Sequence, residues 1–350
     1  MNFKELINDT KIKIEKRFKE YYKNEETSPF LKEALDELLR MNSGGKCIRG
    51  TLIRMGYMAS GNNDDKYLDL AMAYELFETS ILIHDDIIDE SSLRRDKTTI
   101  HEKYKEKYKK DDKTDNFNHK LNNISNSMAL CIGDYGLFES IKIINNYNNK
   151  ELLDEFIHIA QNTSKGEMLD IIIPFQEEFF DVKELEKEIL NIYELKTACY
   201  SILGPYRLGL LLGNMTIDEM NKPLIKIGIA FQIKDDILGI YGNNIGKTTT
   251  DIEEYKQTLL YSYAKEQDKD NLKKNYGKKN KEEEIKKLFE NTKSLEKAEL
   301  RMKKLFKEAK EDLEEIDLNN DSKELLLELL DYLENRKKII KKGVILLKKE

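Results

Sequence analysis

The chain of 350 residues carries 59 Lys and Arg against 66 Asp and Glu, which gives a formal net charge of −7. This acidic balance argues against binding of a nucleic-acid backbone through a broad positive field. No apolar run approaches the roughly 20 residues that cross a bilayer, and no apolar signal segment follows Met1. We therefore expect a cytoplasmic protein that has no membrane span and binds no nucleic acid.

The composition favours an all-α fold. Hydrophobic residues make up 39% of the chain and charged residues 36%, so a sizeable core can lie under a charged surface. Only 17 Gly and 4 Pro are present, and long helices are therefore seldom interrupted. No linker separates the helical patterns, and we expect residues 1–350 to form a single domain of about a dozen helices.

The first candidate binding element is Gly44-Gly45-Lys46-Cys47-Ile48-Arg49. Two glycines allow the backbone to approach an anion closely, and we place Lys46 and Arg49 on the first turn of the helix that follows. An ordinary junction between a loop and a helix would show the same pattern, so this element alone does not decide the function.

A carboxylate cluster follows the most apolar segment of the chain. Residues 71–83 are apolar nearly all round, which predicts a buried central helix. Asp85, Asp86 and Asp89 come directly after it, and the D-D-x-x-D spacing places them on one helix face. Clustered carboxylates repel one another, and hard oxygen donors in this number suit Mg²⁺. The alternative is a group of solvated surface carboxylates at a helix end.

Two arginines, Arg94 and Arg95, follow five residues beyond Asp89. Each planar guanidinium can hold a phosphate through two hydrogen bonds, while a metal ion neutralises the remaining charge. An arginine pair beside a metal site therefore suits a diphosphate, although an isolated pair is usually a solvated surface feature.

The polar stretch from Tyr104 to Ser125 has no clear period, and we interpret it as an exposed insertion between two helices. A charged helical region begins at about residue 263. Near its end, after the start signal Asp321-Ser322, an apolar stripe at helical spacing predicts a surface helix. The stripe consists of Leu326, Leu329, Leu330 and Leu333.

The second half of the chain repeats the combination of cations, hydroxyls and carboxylates. A second apolar run leads into two adjacent carboxylates, as the first run did. The residues concerned are Lys196 and Thr197, Gln232 and Lys234 with Asp235 and Asp236, and then Lys247 and Lys256.

In order and spacing, HDDIIDESSLRR and FQIKDDILG resemble the trans-isoprenyl diphosphate synthases of the polyprenyl synthetase family. The match runs from Gly44 to about Thr258, and the whole is most similar to short-chain geranylgeranyl and farnesyl diphosphate synthases of archaeal type. The resemblance implies a helical bundle around a central cavity, which condenses isopentenyl diphosphate with allylic diphosphates. It also implies two or three Mg²⁺ ions per active site and a homodimer.

The resemblance assigns roles residue by residue. It implies metal binding by Asp85, Asp86, Asp89, Asp235 and Asp236, and catalytic roles for Asp85, Asp86, Asp89, Asp235 and Lys196. It implies binding of isopentenyl diphosphate by Lys46, Arg49 and Arg95. It implies binding of the allylic diphosphate by Arg94, Lys196, Thr197, Gln232, Lys234, Lys247 and Lys256. Residues 166–170 resemble the family's G-Q-x-x-D element, with Glu167 in place of Gln.

Two positions bear on substrate binding and product length. Glu78 stands where the family usually has a His ligand of isopentenyl diphosphate. Since a carboxylate can repel a diphosphate, either that contact is lost or a neighbouring cation offsets the repulsion. Five residues before Asp85, where short-chain enzymes often have an aromatic floor, this chain has Ser80. Phe77 lies one turn deeper, about 5 Å by helix rise. We expect Phe77 to be the floor, with geranylgeranyl diphosphate as main product and farnesyl diphosphate as intermediate or co-product; simple core packing is the alternative.

Other functions remain open on sequence alone. A longer-chain polyprenyl synthase and a catalytically silent partner subunit share the pattern, although a silent subunit would be expected to lose its aspartates. Head-to-head condensing enzymes and terpene cyclases share the fold but need no isopentenyl diphosphate site. A di-iron carboxylate bundle would use Glu155 and His158 as one E-x-x-H pair, but no second such pair exists.

Overall fold

The computed structural model describes residues 1–23, 28–109, 115–242 and 252–335. These ranges are almost entirely helical, which confirms the all-α prediction. The first half contains α1 (Phe3–Tyr21), α2 (Pro29–Asn42), α3 (Ile48–Ala59), α4 (Leu68–Ile88), β1 (Leu93–Arg94), β2 (Lys97–Thr98), α5 (Ile100–Tyr108), α6 (Asp115–Asn145) and α7 (Lys150–Gln176). The second half contains α8 (Val182–Ile192), a π-helix (Tyr193–Leu203), α9 (Gly204–Leu212), α10 (Asn221–Tyr241), α11 (Leu259–Gln267), α12 (Lys269–Asn275), α13 (Glu282–Asn291), α14 (Ser294–Glu315) and α15 (Asn320–Glu334).

Helix α4 is the buried helix predicted over residues 71–83. Every residue from Leu70 to Ser80 is buried, including the acidic Glu75 and Glu78. A helix that is apolar on all faces must be surrounded, and α1, α2, α3 and α6 all pack against it. The polar residues at its C-terminal end are therefore held at the edge of the main hydrophobic core.

Helix starts follow local hydrogen-bonding rules. The side chain of Asn2 caps α1 and that of Asp181 caps α8, each in a reciprocal capping box with the Glu three residues later. Ser28 caps α2, which has Pro29 at its first position. In α15, the cap is Asn319, two residues before the predicted start signal, and the predicted leucine stripe is buried.

One continuous helical rod runs through α8, the π-helix and α9. The π-helix follows Ile192 directly, and α9 begins at Gly204 without a break. Helices with π hydrogen bonding are rare and are found mostly at functional sites. This rod packs on α7 and on α10, and it carries residues 196 and 197 toward the end of α4.

Helices α3 and α9 cross at a pair of glycines. A Cβ on Gly56 would lie 2.1 Å from the carbonyl oxygen of Tyr206, and a Cβ on Gly209 would lie 2.0 Å from the carbonyl oxygen of Ile53. Since backbone atoms cannot rotate away as side chains can, only glycine permits this approach. The crossing fixes the rod against α3.

The polar stretch from Tyr104 to Ser125 is more helical than predicted. α5 continues to Tyr108, and α6 begins at Asp115, so only residues 109–114 lie between the two helices. Tyr104, Leu121 and Ser125 are buried. The prediction of an exposed insertion was wrong for the end of α5 and the start of α6. A few apolar side chains that pack on neighbouring helices are enough to bury one face of each of these helices.

Between residues 263 and 335, the charged region forms the rest of α11 and the helices α12 to α15. No helix among the described residues is both long enough and apolar enough to cross a bilayer.

Replacing Gly56 by Ala tests the crossing of α3 and α9. In an open helix this change stabilises by about 1 kcal/mol, but here the added methyl meets backbone atoms of α9. We expect the free energy of unfolding to fall by about 3 kcal/mol, measured by denaturant unfolding. Ala at the exposed Lys16 of α1 serves as control and should change it little. A more stable Gly56→Ala variant would show that the crossing is not tight.

Candidate active site

The three carboxylates at the end of α4 are each held by a cation from another part of the chain. Arg94 donates from Nη2 to Asp85 (2.6 Å) and from Nε to Asp86 (2.5 Å). Lys256 Nζ lies 2.8 Å from Asp89 Oδ2, although it is 167 residues away in sequence. The predicted cluster therefore exists, and its negative charge is balanced by Arg94 and Lys256, two of the predicted substrate ligands.

Burial and charge act in opposite directions on these carboxyl groups. Burial raises the pKa of Asp86 to about 6, even though Arg94 acts to lower it. Burial also raises the pKa of Asp89. For Asp85 the effect of burial is outweighed by Lys196 and Arg94, which hold its pKa at about 2. The cluster thus combines a firmly ionised carboxylate with two that need more positive charge.

A two-residue hairpin positions the arginine pair. β1 and β2 are joined by Arg95 and Asp96, whose φ angles of 53° and 62° lie in the left-handed region typical of a type I′ turn. Lys97 Nζ donates to the carbonyl oxygens of Arg40 (2.8 Å) and Ser43 (2.7 Å). These bonds fix the hairpin against the end of α2, beside the glycine pair.

The hairpin and residues 44–49 enclose a space of about 420 Å³, here called the basic cavity. A Cβ on Gly45 would lie 2.9 Å from Arg95 Nη1, so a larger residue would crowd the guanidinium. Lys46 was predicted on the first turn of α3. It lies before that helix, because α3 begins at Ile48, after Cys47 in the left-handed conformation. The cavity is lined by residues 44–49, Glu78, Leu82, Arg94, Arg95, Ser201, Ile202, Phe231, Asp235 and Leu333.

Glu78 pairs with two of the predicted ligands of isopentenyl diphosphate. Its Oε1 lies 2.8 Å from Arg49 Nη1 and 3.0 Å from Arg95 Nη2. Burial acts to raise the pKa of Glu78, but Arg49 and Arg95 hold it below the usual value. Glu78 is therefore an ionised carboxylate within the basic cavity.

The π-helix presents Lys196 to the carboxylates of two helices. Its Nζ lies 2.6 Å from Asp170 and 2.7 Å from Glu167, both on α7, and 3.7 Å from Asp85. These carboxylates outweigh burial and raise the pKa of Lys196 above its ordinary value. The Glu167 that replaces the family's Gln thus binds the predicted catalytic lysine.

The second aspartate pair is split between two environments. Asp235 lines the basic cavity. Asp236 is buried, where it accepts hydrogen bonds from the hydroxyl of Tyr193 and from Gln232 Nε2 (2.8 Å). Thr197 donates to Gln232 Oε1 (2.6 Å), so Thr197 and Gln232 act on Asp236 as a connected network.

The structure does not place every predicted ligand at the site. Lys234 Nζ donates to the carbonyl oxygens of Leu333 (2.9 Å) and Glu334 at the end of α15, where unpaired helix carbonyls attract a cation. Its role in the allylic site stays a prediction. Lys46 donates to the hydroxyl of Tyr332 (3.2 Å). Lys247 lies outside the described residues.

A second space of about 330 Å³, here called the apolar cavity, lies beside the carboxylate cluster between α4, α7 and the π-helix. Leu82 lines both cavities. The apolar cavity is lined by Ile81, Leu82, His84, Asp85, Ile88, Thr163, Ser164, Glu167, Met168, Ile171, Lys196 and Tyr200.

The two predicted chain-length residues lie behind the wall of the apolar cavity. Phe77 is 1% exposed, and its ring centroid lies 5.8 Å from that of Tyr200, which lines the cavity. Ser80 is fully buried against Gly136 of α6 and donates to the carbonyl oxygen of Leu76. Ser80 does not line the apolar cavity, because its face of α4 is covered by α6.

Sequence reasoning missed several residues of the site. Tyr200 separates Phe77 from the apolar cavity, and Tyr193 holds Asp236. Tyr200 follows Lys196 by four residues, a helical spacing that could have identified it. Tyr193 gave no such signal, because its contact joins residues 43 positions apart.

The implied Mg²⁺ fits the donor chemistry here. Among the described residues no group of three His, Cys, Asp or Glu side chains is arranged to hold a metal as it stands. Asp86 Oδ2 is nevertheless buried without a hydrogen-bond partner among those residues, which is the position of an oxygen that a cation would satisfy. The E-x-x-H pair offers no comparable site, since Glu155 binds Arg207 (3.1 Å) and His158 binds Asn162 (3.0 Å).

Comparison with known proteins relates this chain to a protein family. The model of the polyprenyl synthetase family matches residues 28–292. A geranylgeranyl diphosphate synthase of Saccharolobus solfataricus is 30% identical over 74% of this chain and 71% of its own length. A short chain isoprenyl diphosphate synthase of Methanocaldococcus jannaschii is 30% identical over 66% of each chain.

The fold comparison covers more of the chain. The geranylgeranyl pyrophosphate synthase of Corynebacterium glutamicum, solved with isoprenyl diphosphate and magnesium, superposes with a TM-score of 0.80 at 25% identity. The match covers 96% of this chain and 99% of that one. Together with the two cavities and the paired aspartates, these matches confirm the resemblance found in the sequence, and the chain belongs to the polyprenyl synthetase family.

Proposed function

We propose that this protein is a Mg²⁺-dependent trans-prenyltransferase that condenses isopentenyl diphosphate with allylic diphosphates. The observation that carries the proposal is the contact of the two cavities at Leu82. One cavity is lined by cations that suit a diphosphate, and the other is an apolar space next to the aspartates. Two diphosphate substrates could therefore bring their hydrocarbon ends together at the end of α4.

The charged residues divide between the two substrates. In the proposal, Lys46, Arg49 and Arg95 bind isopentenyl diphosphate in the basic cavity. Arg94, Lys196 and Lys256, with Thr197 and Gln232 behind them, serve the allylic diphosphate, since the three cations already contact the aspartates. Lys247 remains a proposed ligand from sequence alone.

The reaction needs no protein nucleophile. It needs positive charge to stabilise the leaving diphosphate and a site from which water is excluded. Mg²⁺ bound by Asp85, Asp86, Asp89, Asp235 and Asp236 would supply positive charge to the leaving diphosphate. Lys196 and Arg94 orient that diphosphate and stabilise its developing charge. The half-buried Leu82 and the buried Tyr200 line the apolar cavity, and keeping water away from it protects the allylic cation from quenching to an alcohol. The isopentenyl double bond attacks the cation, and a proton then leaves to the released pyrophosphate.

Product length follows from the apolar wall. We propose geranylgeranyl diphosphate as the main product and farnesyl diphosphate as intermediate or co-product. The aromatic rings of Tyr74, Phe77, Phe156 and Tyr200 pack with centroid distances of 5.0 to 6.2 Å; Tyr74 and Tyr200 are stacked, and the other four pairs are edge to face. This packed group lies behind the apolar cavity and supports a floor made of Phe77 and Tyr200 together. The names of the archaeal relatives are consistent with a short product.

We further propose a homodimer that forms through α6. Ile124, Cys131 and Phe138 recur every seven residues and are exposed, with Phe138 66% and Ile124 50% accessible. Leu130, 45% accessible, lies beside them. A stripe of this spacing on a 31-residue helix suits packing against the same helix of a second copy.

Product analysis tests the reaction. The purified protein is incubated with labelled isopentenyl diphosphate and with dimethylallyl, geranyl or farnesyl diphosphate, with Mg²⁺ or with EDTA. We expect a C20 product that forms with Mg²⁺ and is lost with EDTA, because the aspartates cannot stabilise a leaving diphosphate without a cation. Asp89→Asn should reduce the rate at least about 100-fold, while the exposed-site variant Lys16→Ala should leave it unchanged.

Three outcomes of this assay would contradict parts of the proposal. Products longer than C20 would favour a longer-chain synthase and exclude the proposed floor. Products that form when isopentenyl diphosphate is left out of the incubation would favour head-to-head condensation or cyclisation. The absence of elongation with every primer would favour a silent partner subunit.

Replacing Phe77 by Ala tests the floor. We expect longer products than those of the wild type, because removing the ring allows Tyr200 to move away from the apolar cavity. Phe306→Ala, which removes a ring buried in another hydrophobic cluster, controls for general loss of packing and should leave product length unchanged. An unchanged product profile in a folded Phe77→Ala variant would exclude this floor.

Replacing Phe138 by Glu tests the dimer. We expect the wild type to have twice the chain mass in light scattering, and the variant to shift toward the monomer because a charge enters an apolar contact. Leu300→Glu, on an α14 residue with 59% exposure, is the matched control. A wild-type monomer, or a Phe138→Glu dimer, would exclude this interface.

A further inference from the structure

Glu78 occupies a position that the proposed reaction leaves unexplained. Four basic side chains line the basic cavity, and three of them already bind carboxylates. Arg94 binds Asp85 and Asp86, whereas Arg49 and Arg95 both bind the single oxygen Oε1 of Glu78. A diphosphate that enters this cavity must therefore compete with carboxylates for the arginines that would bind it.

The two arginines are held differently. Arg49 stacks on the ring of Tyr200, with Cζ 4.3 Å from the ring centroid, and donates to Ser201 (2.8 Å). Its side chain is 19% exposed and lies on the first turn of α3. Arg95 lies at the turn of the hairpin, and its side chain is 39% exposed. Arg49 is thus fixed beside Glu78, while Arg95 is free to turn toward a ligand.

Resting on the function proposed above, we propose that Glu78 is a specificity-determining residue that competes with the diphosphate of isopentenyl diphosphate. Binding exchanges the Glu78 carboxylate for a phosphate oxygen at Arg95, while Arg49 keeps its contact with Glu78. No covalent bond changes in this step. The exchange weakens binding at the basic cavity and leaves the allylic site, which uses Arg94 and Lys196, unaffected.

The neighbouring Glu75 provides a matched control. It is buried on the same helix, but it accepts a hydrogen bond from Gly50 N (2.8 Å) and does not line the basic cavity. Burial, with the nearby Glu78, raises the pKa of Glu75 to about 8. A raised pKa favours the neutral carboxyl group, so Gln is the closest match in charge and shape, and its amide can keep the side-chain hydrogen bond to Glu78.

The test measures the Kd of isopentenyl diphosphate by calorimetry with Mg²⁺ and no allylic primer. We expect Glu78→Gln to lower this Kd about tenfold, with no change for dimethylallyl diphosphate. Glu75→Gln should leave both constants within about twofold of the wild type. An equal or higher Kd in a folded Glu78→Gln variant would overturn the proposal, since Glu78 would then position the arginines for the substrate.

Two further measurements keep the test decisive. Glu78→Gln leaves the buried Arg49 without its carboxylate, so its melting temperature should be lower and should rise more with isopentenyl diphosphate than that of the wild type. If this variant does not fold, Glu78→Asp keeps a carboxylate in the cavity but shortens the side chain whose Oε1 reaches both arginines. The Kd of this variant should also fall, and an unchanged Kd would overturn the proposal. Because binding needs no turnover, an inactive protein would refute the proposed function without deciding the role of Glu78.

Discussion

Charge balance at the C-terminal end of α4 is the constraint on which the rest of the site depends. A helix buried on every side places Asp85, Asp86 and Asp89 at the edge of the core, where unpaired carboxylates would be costly. Cations from a hairpin, from the π-helix and from the segment before α11 converge there. The same ionic contacts that stabilise the fold therefore bring together parts of the chain that are up to 167 residues apart.

These contacts also describe what the substrates must replace. Arg94, Lys196 and Lys256 contact the aspartates, and a metal-bound diphosphate offers both partners a substitute: cations for the carboxylates and phosphate oxygens for the arginine and lysines. Lys196 is also shared with Glu167 and Asp170, so the carboxylates here outnumber the cations that contact them. Glu78 differs from the aspartates. It contacts Arg49 and Arg95 of the basic cavity, and it is not one of the carboxylates proposed to bind a metal ion that could replace those cations.

The sequence was sufficient for the fold class, the central helix and the carboxylate cluster, because these depend on local spacing and on strongly apolar runs. It also identified the arginine pair, although the left-handed turn that aims Arg95 has no glycine to mark it. It did not reveal contacts between distant parts of the chain. Lys234 binds the end of α15, 100 residues away, Ser80 is covered by α6, and Tyr193 binds Asp236 across two helices. The stretch from Tyr104 to Ser125 was misjudged because a few buried side chains, rather than its polar majority, determine its helices.

The π-helix connects the site to the close crossing of α3 and α9. Lys196 lies within it, and the rod continues without a break to Gly209, which meets α3 at the glycine crossing. A single-residue deletion between these points would rotate everything downstream by about 100° around the helix axis. Either Gly209 would leave the crossing or Lys196 would leave the carboxylates. The number of residues between Lys196 and Gly209 is therefore constrained, because the direction that each of them faces around the helix axis must be kept. Natural insertions or deletions should be rarer in this stretch than in the loops around it.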